Sequence, residues 1–133
     1  MKPVRILVVD DNPTNLKLVS DLLAFEGHEI LNAMDAEAAQ VVIADTLPDL
    51  ILMDLALPGM DGLTLTRHLK ADARTSNIPI VALTAFAMKG DKQKAIDAGC
   101  DSYITKPIDT RTLPSKVAEF LALACRGNRG EEL

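Results

Sequence analysis

Three carboxylates, a hydroxyl and an ammonium group stand at the ends of short apolar runs in this chain, and brought into one small volume they could hold a metal ion. Arg5-Ile6-Leu7-Val8-Val9 leads into Asp10-Asp11, and Leu50-Ile51-Leu52-Met53 leads into Asp54. Ile80-Val81-Ala82-Leu83 leads into Thr84, and Ser102-Tyr103-Ile104-Thr105 leads into Lys106-Pro107. Short apolar runs bounded by turn formers suit strands buried on both faces of a sheet. In a parallel sheet their carboxyl ends lie along one edge, where open α/β folds place ligands. Taken singly, Asp54 is either a site or a capping residue, and Asp10-Asp11 is either a site or a turn pair. Brought together, three carboxylates a few ångströms apart repel by roughly 4 kcal/mol per close pair at an effective dielectric near 20. Such a cluster holds either a proton or a hard cation, and an oxygen-only donor set favours Mg²⁺.

The segments between these runs have helical spacing. Asn12-Pro13 reads as an N-cap followed by proline at the first helical position. Leu16, Val19, Leu22 and Leu23 then recur at helical intervals to about Phe25, and Gly27 stops the helix. His28 to Ala33 follows as an edge strand. Asp35 caps a second helix from Ala36 to about Ala44, with Ala36, Ala39 and Ile43 on the sheet-facing side. Beyond Asp54, Pro58-Gly59 supplies the central pair of a type II turn, and Asp61 caps a third helix from Gly62 to about Ala71. The polar Asp72 to Asn77 loop leads into the fourth strand. A fourth helix, from about Lys89 to Ala98, contains Gly90, is densely charged and buries mainly Ala95 and Ile96; it is expected to be short and mobile, with Gly99 closing it. Asp109 to Leu113 reads as a turn, and the last helix starts at Pro114 with Val117, Phe120, Leu121 and Ala124 facing the core. Strands alternating with helices give a parallel sheet covered on both faces, because crossovers are right-handed.

From about Val4 to about Leu123, the set Asp10, Asp11, Asp54, Thr84, Tyr103 and Lys106-Pro107 resembles the receiver domain of two-component response regulators, the CheY-like superfamily. The resemblance implies an α/β, (βα)5 flavodoxin-like fold: a doubly wound parallel five-stranded sheet of order 2-1-3-4-5 with helices on both faces. It also implies that Asp54 accepts a phosphoryl group from a phosphohistidine on a sensor histidine kinase or histidine phosphotransfer protein. Mg²⁺ would be ligated by Asp11, Asp54 and the backbone carbonyl of Ala56, with Asp10 acting through water. Lys106 and the Thr84 hydroxyl, with the backbone N–H of Ala85, would neutralise the phosphoryl oxygens, whose charge is the main demand of a loose transition state. Lys106-Pro107 would be cis and aim the lysine inward.

Tyr103 is either an ordinary edge-strand aromatic or, as the resemblance implies, a rotameric switch that follows Thr84 and remodels the surface of the fourth helix, fifth strand and last helix. Ala56 and Phe86 offer nothing to orient water, so self-hydrolysis should lack side-chain assistance. A donor reaching Asp54 in line must rest on the loops around the strand ends. Asn12, Thr14, an exposed Asn15 and Leu16 on one side, and Pro107, Ile108 and Asp109 on the other, form the expected docking surface. Asn12 has the alternative of only capping its helix, and Leu16 and Ile108 of only packing in the core. The stretch Thr84 to Asp91 resembles receivers of hybrid kinases and single-domain regulators, which points to a downstream protein partner or relay output.

Length and composition bound the rest. A chain of 133 residues suits one domain, read as a receiver over 1–126 and a short polar tail over 127–133. It is expected to be a single-domain regulator or a receiver cut from a longer chain. The formal charge is −5 and no basic stripe tracks a phosphate backbone, which argues against nucleic acid. No apolar run approaches the ~20 residues of a membrane span and Met1-Lys2-Pro3-Val4 has no signal-peptide pattern, so a cytoplasmic location without membrane partners is expected. Cys100 and Cys125 lack Cys-x-x-Cys spacing and read as reduced thiols; His28 and His68 lack metal-ligand spacing and read as surface residues. Three other readings compete. A Mg²⁺-dependent aspartyl-phosphate phosphohydrolase usually needs a second Asp two residues after its nucleophile, where this chain has Ala56. A flavin-binding module would want a Ser/Thr/Gly-rich loop after the first strand, where Asp10-Asp11 would repel phosphate. A degenerate receiver, binding without phosphorylation, would lack an acidic residue, and none is missing. The favoured reading is a phosphoacceptor switch, not a stand-alone enzyme.

Overall fold

The strand-like runs do pair with one another, and the helical segments cover them. The computed structural model describes residues 4–55, 62–84, 91–105 and 108–132, with side chains at 4–55, 62–84, 93–105 and 108–122. The elements run β1 (Arg5–Val9), α1 (Pro13–Phe25), β2 (Glu29–Ala33), α2 (Ala36–Asp45), β3 (Leu50–Asp54), α3 (Gly62–Ala71), β4 (Ile80–Thr84), α4 (Asp91–Ala98), β5 (Ser102–Thr105) and α5 (Leu113–Glu132). All four strand pairings are parallel. The sheet order is β2-β1-β3-β4-β5, the order that the family resemblance implied.

Because side chains alternate along a strand, each strand feeds two cores. Ile6, Val8, Leu50, Leu52, Val81, Leu83 and Ile104 pack on one face with Leu16, Val19 and Leu23 of α1 and Leu113 and Val117 of α5. Leu7, Val9, Ile51, Met53, Ile80 and Ala82 pack on the other with Ala36, Ala39 and Ile43 of α2, Leu65 and Leu69 of α3, and Ala95 of α4. β3 is buried along its whole length. Its register against β1 is latched at the far end from Asp54: the Arg5 N–H donates to Asp49 Oδ2 at 2.9 Å, and the Asp49 N–H donates to the Arg5 carbonyl at 2.8 Å. That latch puts Val9 opposite Met53, so Asp10 and Asp54 emerge side by side.

Helix ends follow their chemistry. Asn12 caps α1 and Asp35 caps α2 through the Ala38 N–H. Gly27, at φ 94°, ends α1 with the left-handed geometry that an L-residue adopts at a cost. α4 departs from expectation in what it buries: Ala95 and Ala98 face the core, whereas Ile96 is 48% exposed. Positions three apart share a helix face and adjacent ones do not, so burying Ala95 and Ala98 turns Ile96 outward. α5 starts at Leu113, one residue earlier than expected, because the Asp109 carbonyl accepts the Leu113 and Thr112 N–H groups and the turn closes directly into the helix. Its backbone stays helical to Glu132, past Gly127, where a polar tail was expected.

One polar clasp holds the sheet away from the acidic edge. Asp101 Oδ2 accepts the Ile80 N–H at 2.8 Å and Lys70 Nζ at 2.9 Å, and the same ammonium reaches the Ile78 carbonyl at 2.9 Å. The carboxylate is half exposed, so the ion pair itself adds little; the charged bond to a main-chain N–H is the larger part. Asp101→Ala is expected to lower unfolding stability by about 2 kcal/mol in a denaturant titration. A loss below a few tenths would show that water replaces the clasp.

Candidate functional site: an acidic edge at the strand ends

The site begins where β1 stops pairing. The Asp10 N–H donates to the Ala33 carbonyl at 3.1 Å, and Asp10 Oδ1 accepts the Asn12 N–H at 2.9 Å. Asn12 Oδ1 then accepts the N–H groups of Thr14 and Asn15, at 2.9 and 3.2 Å. One carboxylate therefore fixes the turn that starts α1, and α1 in turn presents its positive end to the acids. Asp10 is fully buried, Asp54 is 3% exposed and Asp11 faces solvent.

Carboxylate oxygens of Asp10, Asp11 and Asp54 lie within 4.8 Å of one another. At that spacing each pair of like charges costs roughly 3–4 kcal/mol at an effective dielectric near 20. Among the described residues this is the one group of three or more acids, histidines or cysteines so arranged. Two oxygen donors shut away from solvent and one open to it fit a hard divalent cation that keeps part of its water shell, the behaviour of Mg²⁺. The expected acidic trio is therefore brought together.

Thr84 ends β4, half buried, one position beyond Leu83, which pairs with Asp54. Tyr103 lies opposite Ala82 and Thr84 opposite Thr105. Since positions two apart share a face, Thr84 and Tyr103 are diagonal neighbours on the α3/α4 side, where Tyr103 packs half buried against the core. Ala56, the Pro58-Gly59 turn, Asp61, Ala85, Phe86, Lys106 and Pro107 lie outside the described residues.

The residues expected to form a docking surface divide. Asn12, Thr14 and Asp109 are exposed. Asn15, expected to be exposed, is half buried, next in the chain to the core residue Leu16. Leu16 is 8% exposed and belongs to the core, since it shares a helix face with Val19 and Leu23. Ile108 likewise packs half buried against that core. The Asp109 carboxylate is engaged by Arg111, through the N–H at 2.9 Å. Asn12 does cap its helix.

Cys100 is a buried free thiol, and burial pushes its pKa up, partly offset by a hydrogen bond with Thr66. His68 is exposed and His28 half buried.

Gly62 is the contact that sequence reading did not supply. Its place in the pattern marks only the start of a helix, yet a Cβ there would overlap the Asp54 carbonyl oxygen and come within 2.7 Å of Leu55 Cα. A glycine directly after a Pro-Gly-containing loop is the available signal for such an approach.

A family model described as the response regulator receiver domain matches residues 6–118. The polar-differentiation response regulator DivK of Brucella anthropi is 39% identical over 119 residues, covering 90% of this chain and 97% of that protein. The response regulator PleD of Caulobacter vibrioides is 43% identical over 113 residues, covering 85% of this chain but 25% of PleD. The crystal structure of the signal receiver domain of a signal transduction histidine kinase from Syntrophus aciditrophicus superposes with a TM-score of 0.83 at 32% identity, covering 90% of each chain. No helix among the described residues is long and apolar enough to cross a membrane. With three acids gathered at the carboxyl edge of a 2-1-3-4-5 sheet, and matches of this extent, the chain belongs to the response regulator receiver family of two-component signalling.

Proposed function

We propose that Asp54 accepts a phosphoryl group from a phosphohistidine and that the modified domain changes its protein partner. The observation that carries this is the acidic trio: a nearly buried carboxylate on the most enclosed strand, within 4.8 Å of one buried and one open acid. An Asp54 oxygen bonds to phosphorus as the phosphorus–nitrogen bond to the donor imidazole breaks, and the electron pair returns to the ring nitrogen. Mg²⁺, held by Asp11, Asp54 and the Ala56 carbonyl with Asp10 acting through water, would neutralise the acids and the phosphoryl oxygens. Lys106, the Thr84 hydroxyl and the Ala85 N–H would take the remaining oxygen charge. Burial of Asp54 limits the approach of bulk water and favours an in-line donor.

The diagonal placement of Thr84 and Tyr103 on one face supports their coupling as a switch: a threonine drawn to the phosphoryl group vacates space beside the half-buried ring. The donor would be a sensor histidine kinase or histidine phosphotransfer protein in the cytoplasm. The test of the whole reading is covalent. Incubation with Mg²⁺ and acetyl phosphate should add one phosphoryl group, and peptide mapping should place it at Asp54; a label on any other residue would overturn the assignment.

Docking is proposed at the exposed residues Asn12, Thr14 and Asp109 around the mouth. Thr14→Arg is expected to slow transfer from the kinase about tenfold or more through a bulky misplaced charge, while labelling by acetyl phosphate stays within about twofold of the parent because that donor needs only the pocket. Equal slowing with both donors would remove this surface from consideration.

A further inference from the structure

Thr66 lies on the second turn of α3 and is fully buried. Its hydroxyl donates to the Gly62 carbonyl at 2.7 Å, one turn back. Behind it, the Cys100 thiol donates to Thr66 Oγ1 at 4.0 Å. Because the thiol occupies the acceptor side, the hydroxyl's own proton is directed at Gly62. Gly62 in turn presses on the peptide that joins Asp54 to Leu55, where a Cβ would overlap the Asp54 carbonyl oxygen, and its N–H donates to the next carbonyl along, that of Leu55, at 3.3 Å. On the opposite side of the same peptide, the Leu55 N–H donates to the Leu83 carbonyl at 3.3 Å. The backbone that carries Asp54 is thus gripped between β4 and the first residue of α3.

A threonine inside a helix more often bends it slightly by bonding back four residues. Here the bond falls on the one residue pressed against the acceptor's own peptide. We propose that Thr66 is a positioning residue for phosphotransfer, holding Gly62 against the Asp54–Leu55 peptide and so fixing the height of the Asp54 carboxylate at the sheet edge. The proposal rests on Asp54 as phosphoacceptor for its kinetic readout, but not for its structural one.

Thr75 provides a matched control. It is also a buried threonine whose hydroxyl donates to an α3 carbonyl, that of Leu69, but at the end of α3 far from the acids. Thr66→Val keeps the shape and removes the donor; Thr66→Ser restores it. With Mg²⁺ and acetyl phosphate, Thr66→Val is expected to lower the labelling rate at saturating donor about tenfold, since sub-ångström misplacement of a reacting group is costly, and to leave the half-saturating donor concentration within about twofold. Thr66→Ser should recover most of the rate, and Thr75→Val should label like the parent even if it melts lower. In parallel, the backbone amide NMR signals of Asp54 and Leu55 should shift in Thr66→Val, return in Thr66→Ser and stay in place in Thr75→Val.

Unmoved amide signals in Thr66→Val, or equal slowing in the valine variants of Thr66 and Thr75, would overturn the inference. If the amides move as expected while the parent itself is never labelled at Asp54, the coupling of Thr66 to the Asp54 backbone stands and the phosphoacceptor reading falls. Should Thr66→Val fail to fold, Thr66→Ala and Thr66→Ser under the same two readouts decide, the alanine being expected to shift the amides and the serine to spare them.

Discussion

Asp54→Asn is expected to abolish labelling, by at least about a thousandfold, as loss of a nucleophile does in comparable systems. The amide keeps the size and planarity of the carboxylate in a site only 3% exposed, so the variant should fold. It should in fact resist unfolding better than the parent when divalent ions are chelated. Removing one of three acids held within 4.8 Å relieves their mutual repulsion, or the cost of the proton that holds it off, by about 1–3 kcal/mol once screening of the exposed Asp11 is allowed for. Adding Mg²⁺ should shrink that advantage, because the parent gains more from the ion. Activity and stability thus move in opposite directions in one variant. Labelling at the parent rate, or a variant less stable than the parent in chelator, would contradict the charge assignment.

The two acids at the end of β1 are expected to separate in the same way. Asp11 faces solvent and is the proposed direct ligand, so Asp11→Ala should weaken Mg²⁺ binding by more than about a hundredfold while costing little stability. Asp10 is buried and accepts the N–H that starts α1. Asp10→Ala should therefore cost about 1–2 kcal/mol of stability and weaken Mg²⁺ only about ten- to a hundredfold, the range of groups acting on a metal indirectly. Calorimetric titration with Mg²⁺ and a melt in chelator measure both quantities. Equal losses of affinity in the two variants would dissolve the division between direct and water-mediated roles.

The sheet was legible because its strands are short apolar runs ending in chemistry-bearing residues, and because caps such as Asn12 and Asp35 mark where helices start. The acidic trio follows from the same ends, because a parallel sheet places them along one edge. The strand order was not a matter of pattern at all and came from the family resemblance. What pattern missed has identifiable causes. α4 is short and weakly apolar, so its pattern does not single out the face that packs: Ala95 and Ala98 are buried and Ile96 is turned away from them. Leu16 carries the spacing of a core residue, and that spacing was the better guide than its nearness to the mouth. Asn15 is half buried, and its polar side chain gives no sign of that in the pattern. Gly62 meets the Asp54–Leu55 backbone across segments and Thr66 bonds back to the Gly62 carbonyl within α3, main-chain contacts that leave almost no trace in composition or periodicity.

The Arg5–Asp49 latch also bears on how the acidic edge is assembled in time. It joins residues 44 apart in the chain, and closing a loop of that size costs roughly 3 kcal/mol of chain entropy, relative to the length-independent part, before any pairing rewards it. During synthesis at ~5–20 residues per second, the chain between them takes on the order of 2–9 s to be made. Asp10 and Asp11 are therefore translated, and wait without their partner, until β3 arrives. A nascent chain stopped before Asp49 can pair β1 with β2 but has no β3 beside β1 and no gathered acids, so metal-dependent protection from proteolysis should appear on the ribosome only after β3 has left the exit tunnel.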